Sequence, residues 1–278
     1  MDGFLQLKEN NKFINSLVYS NTLISLGALA ISAQIYLLNG LELNFFYLLF
    51  VFTSTFVSYN LQRLVRAKEI IKNNPNSWFV SKQKSLWILT VVALVISIVS
   101  LFYFLTLSIF FWLLPIGIIS LFYSYKGLRN IPYLKIFLIS ISWGIAIGVL
   151  PFILANEMET STIIINFTLV FLYIFAITIP FDIRDKGLDE DKKRTIPQVL
   201  GEKNAKTVAL ITTTIYFFLS VFTFPFFTLS FLLSSISAGV LIYYSNQKQQ
   251  DLYFSFWIDI HILFQFLTVL LIYLTKLS

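Results

Sequence analysis

Long apolar runs separated by short polar stretches recur from one end of this 278-residue sequence to the other. Crossing about 30 Å of hydrocarbon takes roughly 20 apolar residues in a helix. Nine runs approach that length, at 14–38, 43–66, 86–107, 109–125, 132–155, 161–182, 205–223, 226–245 and 253–275. Runs this long and continuous fit helices rather than barrel strands. The pattern predicts an all-α, polytopic membrane protein of about nine transmembrane helices, forming one domain over residues 1–278. The first run is full length and follows a polar start with no small-residue cleavage pattern, so it is expected to be retained.

Composition agrees with that reading. The chain is 57% hydrophobic and 12% charged, with a mean hydropathy of +0.79, outside the range of a soluble domain. There is no cysteine, which excludes disulfides, thiolate metal sites and a cysteine nucleophile. With His261 as the single histidine, a multi-histidine metal centre and a bis-histidine haem are excluded by count. A net charge of +6 would suit nucleic acid, but the charges follow topology instead. Nineteen of the 20 basic residues lie before the first run or around the even-numbered loops, leaving Lys276 for the other side. By the positive-inside rule the N-terminus and even loops are cytoplasmic and the C-terminus lies on the opposite side. Membrane lipid is then a partner, nucleic acid is not, and any chemistry belongs at the cytoplasmic face.

The longest charged stretch is "IPFDIRDKGLDEDKKRTIPQVLG", residues 179–201, with five acidic and five basic side chains. Asp182, Asp185 and Asp189 are spaced i, i+3, i+7, so a continuing helix sets all three carboxylates on one face. Like charges on one stripe repel and need a cation, and an oxygen-only set suits Mg²⁺ or Ca²⁺. The same spacing is met by a solvated loop whose acids pair with Arg184, Lys186, Lys192 and Lys193. Both readings stand at this point.

The segment "DIRDKGLDEDKKRTIPQVLG" resembles the second aspartate-rich motif of the UbiA superfamily of intramembrane prenyltransferases. That motif has a D-x-x-R/K-D-x-x-x-D core followed by basic-Thr-Ile/Leu-Pro and Leu-Gly. Asp182, Asp185 and Asp189 match its acids, Arg184 its basic position, and Arg194, Thr195, Pro197 and Gly201 its trailing signature. "YSYKGLRNIPYLK", residues 123–135, matches a Tyr-and-basic segment. The resemblance covers nearly the whole chain. It implies a helical bundle that binds an isoprenyl diphosphate through Mg²⁺ held between two aspartate motifs, then transfers the prenyl group to a lipophilic acceptor. Carried onto this sequence, it makes Asp182, Asp185 and Asp189 the catalytic, metal-binding set. Asn60, Arg63, Lys68, Lys126, Arg129, Arg184 and Arg194 become the diphosphate-binding set.

The first motif departs from the family pattern. Where N-D-x-x-D-x-x-x-D is expected, residues 60–68 read "NLQRLVRAK", so Asn60 matches while Leu61, Leu64 and Lys68 replace the three acids. Leucine cannot ligate Mg²⁺ and lysine opposes it. Arg63, Arg66 and Lys68 then either grip the diphosphate directly, serve as topology signals, or remain on a fold repurposed as a lipid-binding scaffold. A terpene-cyclase-like reaction is a further alternative. An allylic diphosphate ionises to an anion and a delocalised carbocation, so cations must serve one end and aromatic faces the other. The 49 aromatic residues make the latter easy to supply.

Three features lie outside the motifs. Asp259 and His261 are ionisable groups inside an apolar run, about 200° apart on a helix and therefore not a dyad. Asp259 is expected to meet a buried base or a polar acceptor group, and His261 to be a satisfied packing residue. Gly144 and Gly148, at i, i+4, suit a close helix contact.

Overall fold

A computed structural model describes residues 12–65, 67, 78–124, 133–157, 159–186 and 195–277. The described residues form helices α1 Lys12–Tyr19, α2 Thr22–Asn39, α3 Phe45–Val65, α4 Trp78–Phe102 and α5 Leu107–Ser124. These are followed by α6 Leu134–Leu154, α7 Thr160–Asp185, α8 Ile196–Thr223, α9 Pro225–Tyr244 and α10 Tyr253–Lys276. No strand occurs among the described residues.

Seven of these helices are long and apolar enough to cross a membrane: α2, α4 and α6 to α10. Each of the nine expected runs contains a helix, but the count of spans among the described residues stands at seven. In α5 the apolar part is the shorter Leu107–Ser120. In α3 the run is interrupted by Thr53, Ser54, Thr55, Ser58 and Asn60.

Helix surfaces follow the logic of a lipid solvent. On α4 the exposed side carries large residues such as Trp87, Ile88, Val91 and Val95, while Leu86, Thr90, Ala93, Ser97 and Ser100 are buried. That buried stripe is mostly small and faces α3, so the backbones approach closely. Polar contacts between helices do the rest. Ser58 and Ser120 share a 2.8 Å hydrogen bond between α3 and α5, and Asn39 and Asn166 exchange amide bonds at 3.0 and 3.2 Å between α2 and α7. Consecutive helices pack in sequence from α6 to α10, and α10 returns against α2 to close the bundle.

A break in regular helix lies at the charged end of the bundle. The first expected run is split at Ser20 and Asn21. Asn21 adopts φ 60°, a left-handed conformation that asparagine tolerates. The carbonyls freed where α1 ends are taken up by α3: Arg63 donates to the Tyr19 carbonyl and Asn60 Nδ2 to the Ser20 carbonyl at 2.9 Å. Pro180, two residues before Asp182, lies inside α7 and has no N–H for the carbonyl one turn earlier, yet the helix runs on to Asp185.

α8 begins with a short helical turn at Ile196, ahead of the expected 205, and kinks at Gly201 (φ 78°) before the long helix that runs to Thr223. Gln198 Oε1 accepts from the Thr195 N–H at 2.8 Å and Pro197 sits in the first turn. This is a helix start written in polar residues that an apolar run does not register.

The glycine pair behaves as its spacing predicts. A Cβ on Gly144 would lie 2.7 Å from the Phe167 ring, and one on Gly148 would lie 2.7 Å from the Phe167 backbone. α6 passes this crossing through a π-helical segment at Gly144–Val149, and Tyr47 donates to the Ala146 carbonyl there. Gly148→Ala meets main chain that cannot step aside, so it should destabilise the protein by about 1–3 kcal/mol. Gly117→Ala, with nothing within 4 Å, should not. Thermal unfolding in detergent checks both.

Candidate active site

Asp182 sits in a nearly sealed position, 1% exposed, in the last turn of α7. A bare carboxylate would not survive there, and the partner is Lys135 in the first turn of α6. Its Nζ lies 2.5 Å from Asp182 Oδ1 and 3.9 Å from Asp185 Oδ2. The i, i+3 spacing thus brings two carboxylates onto one side of α7, and both converge on one cation.

Arg184 lies between them in sequence and points elsewhere. Its Nε donates to Asp185 Oδ1 at 2.7 Å, and a terminal nitrogen donates to Asp251 Oδ1 at 3.1 Å and Ser255 Oγ at 3.3 Å. The guanidinium also lies over the rings of Phe181 and Phe254, at 5.4 and 5.8 Å. Arg184 therefore ties α7 to the start of α10. That start is π-helical from Tyr253 to Ile258, an insertion that turns Asp251, Ser255 and Asp259 towards neighbouring groups. Asp259, partly buried, follows directly on this π-helical segment.

The first-motif residues sit in a second contact network. Asn60 is fully buried. Its Oδ1 accepts from Asn21 at 2.8 Å, and its Nδ2 donates to the Ser20 and Phe56 carbonyls at 2.9 and 3.0 Å. Leu64 joins an apolar cluster with Phe56, Val57, Phe79 and Leu86 between α3 and α4. The π-helical start of α10 packs against both α1 and α7, so it connects the Asn60–Arg63 network to the Asp182–Asp185 pair. Lys68, Lys126, Arg129, Asp189 and Arg194 lie outside the described residues.

His261 is satisfied deep in the bundle. Nδ1 faces the Tyr173 hydroxyl at 2.9 Å, and Nε2 faces the Ser234 carbonyl and Ser237 Oγ, both at 3.0 Å. Gln265 extends the network to Ser234 and Tyr216 at 2.9 and 2.6 Å. This joins α7, α8, α9 and α10 and leaves the histidine no catalytic task.

Sequence reading passed over Lys135 as a topology lysine and did not single out Asp251 or Ser255. The signal for Lys135 was present: it is a charge inside the run 132–155, and such a charge needs a partner at its own depth. Alternating helix direction puts the start of that run beside the end of 161–182.

Among the described residues no cluster of three metal-ligating side chains forms. The donor set that does form is two hard carboxylates aimed at one point already held by a cation, an arrangement suited to a hard dication such as Mg²⁺.

A profile of the UbiA prenyltransferase family matches residues 69–260. No curated protein matches the chain. Among solved structures, an apo UbiA homologue from Aeropyrum pernix K1 is 14% identical, with a TM-score of 0.63 over 93% of this chain and 98% of that one. A UbiA homologue from Archaeoglobus fulgidus bound to GPP and Mg²⁺ is 12% identical, with a TM-score of 0.61 over 93% and 99%. A digeranylgeranylglyceryl phosphate synthase is 14% identical, with a TM-score of 0.56 over 95% and 97%. The shared fold and the seven apolar helices make this an integral membrane protein.

Two substitutions test the networks. Asn60→Asp keeps the shape but sets a carboxylate against two carbonyls, and should cost about 1–3 kcal/mol of stability. Arg184→Met, which strips Asp185 and Asp251 of a partner together, should lower the unfolding temperature more than Asp251→Asn. Asp251 is 57% exposed, and an exposed pair is worth about 0.2–1 kcal/mol.

Proposed function

This chain belongs to the UbiA prenyltransferase family, and on that premise we propose that it transfers a prenyl group from an isoprenyl diphosphate to a lipophilic acceptor within the membrane. The observation that carries the reading is the convergence of Asp182 and Asp185 on a single cation at one end of the bundle. Asp182, Asp185 and Asp189 would hold Mg²⁺, which when bound supplies positive charge for the departing diphosphate. Arg63, Lys68, Lys126, Arg129 and Arg194 supply further positive charge for the phosphate oxygens. Asn60 acts by fixing the α1–α2 break, and Arg184 by holding Asp185 in place.

The reaction breaks the bond between the allylic carbon and oxygen, with both electrons leaving on diphosphate. The acceptor's nucleophilic atom forms the new bond and loses a proton. Between those events the positive carbon needs aromatic faces and the absence of water, which an aromatic-rich bundle in lipid supplies.

The distribution of Lys and Arg supports a cytoplasmic N-terminus and cytoplasmic active-site loops, with the C-terminus on the opposite side. Relatives of the same fold support the substrate class: a UbiA homologue from Archaeoglobus fulgidus binds GPP and Mg²⁺ in one structure and DMAPP and Mg²⁺ in another. One observation favours a second reading, a scaffold that binds lipid without turnover: the Asn60 amide is fully engaged in packing and Leu64 lies in an apolar cluster.

Binding of geranyl diphosphate to the purified protein in detergent separates the two. The transferase should bind it only with Mg²⁺ present, and Asp185→Asn should weaken binding about tenfold or more, equal to at least about 1.4 kcal/mol. Absence of binding with or without the metal would leave the scaffold.

A further inference from the structure

Lys135 occupies the point at which the two carboxylates converge, at a place where the backbone around it disfavours a cation. It is in the first turn of α6, where the helix dipole is positive and a cation is disfavoured. Tyr133, which precedes that helix, has φ 60° and offers no side-chain cap to the first-turn N–H groups. That end of α6 combines an ammonium with a positive dipole end, the chemistry of a phosphate contact. The neighbouring end of α7 presents two carboxylates, the chemistry of a metal contact.

A diphosphate carrying a divalent metal has both complements in one ligand. We propose that Lys135 is a diphosphate-binding residue which, in the empty site, stands in the metal's place between Asp182 and Asp185, and which moves to phosphate oxygen when diphosphate and metal arrive. The inference rests on the prenyl-transfer reading above and names a residue that the aspartate motifs do not include.

The geometry suits such an exchange. The contact to Asp182 is short and that to Asp185 is loose, at 2.5 and 3.9 Å, so only one strong contact has to be released. Asp185 keeps its bond to Arg184 throughout. The Lys135 side chain is 19% exposed and therefore has a route outward. A lysine can make this move where an arginine would not: its charge is compact and its four-carbon stem turns freely without shifting α6.

The exchange has a thermodynamic signature. Metal alone must displace the ammonium and leave it without its carboxylates, so metal alone binds weakly. Diphosphate gives the ammonium a new partner, so metal and diphosphate bind with positive coupling, and the coupling is reciprocal. The degenerate first motif sharpens the need. With Leu61, Leu64 and Lys68 in place of the three motif acids, that half of the site lacks the motif's carboxylates for a second metal, and a side-chain cation can take part of that work.

The test uses the full chain in detergent, with Mn²⁺ as a paramagnetic stand-in for Mg²⁺ and geranyl diphosphate as the ligand. Two constants are measured for wild type, Lys135→Met and Lys135→Gln: Mn²⁺ affinity without diphosphate by electron paramagnetic resonance, and diphosphate affinity at saturating Mg²⁺. The expected result is opposite movement, Mn²⁺ alone binding about tenfold tighter and diphosphate about tenfold weaker in both variants. A merely structural lysine would weaken both together. Lys135→Gln keeps a hydrogen bond to Asp182 and serves if Lys135→Met does not fold. Unchanged or weaker Mn²⁺ binding in the variants overturns the proposal, as does unchanged diphosphate binding. Failure of the wild type to bind diphosphate at all is a different outcome, since it removes the transferase reading itself.

Discussion

A carboxylate as well covered as Asp182 can stay in this bundle only because a cation meets it, and much of the architecture arranges that meeting. The Asp182–Lys135 pair joins the end of α7 to the start of α6, two helices brought close by Gly144 and Gly148 against Phe167. The glycine crossing sets how near the helices come, and larger residues there would move the ammonium away from the carboxylate.

Much of the polar chemistry in the rest of the bundle is met by a partner on another helix or on its own backbone, while Ser32 Oγ, Gln34 Oε1 and Tyr36 Oη on α2 are buried without a hydrogen bond. Serines and threonines on α8 and α9 bond to carbonyls of their own helix, as Thr212 and Thr213 do at 2.9 Å. His261 and Gln265 bridge helices on the α7–α10 side, and amide pairs bridge α2 to α7 and the α1–α2 break to α3. The charged groups are treated differently. Arg184, Asp185, Lys135 and Asp182 gather at one end, where water and a charged ligand can reach them, and the π-helical start of α10 secures that gathering from below.

Fold class was legible because apolar length is a coarse signal that survives errors of several residues. All nine runs contain helix, and the departures have local causes. Asn21 in a left-handed conformation splits the first run, and the Thr195–Gln198 start extends α8 through polar sequence. The carboxylate pair was legible too, since i, i+3 spacing fixes a shared face once the helix continues. What the one-dimensional pattern could not show was the partner. Arg184 sits between the aspartates in sequence yet turns to Asp251 and Ser255, while Lys135, 47 positions away, reaches them. Proximity in sequence and proximity across a helix contact are independent facts, and only the second decides which charges meet.

The fate of the first motif illustrates how a lost site becomes hard to recover. Asn60 has become the keystone of the α1–α2 break, with donors and acceptor all engaged, and Arg63 completes the same joint. Leu64 has been absorbed into the contact between α3 and α4. Restoring aspartate at positions 61, 64 and 68 would return the letters of the motif without its chemistry. A carboxylate at 64 would be buried among Phe56, Val57 and Phe79 with no partner, and Asn60 would still be bound elsewhere. The neighbours of Asn60 and Leu64 fit the residues present, so an acidic motif here would require several simultaneous changes.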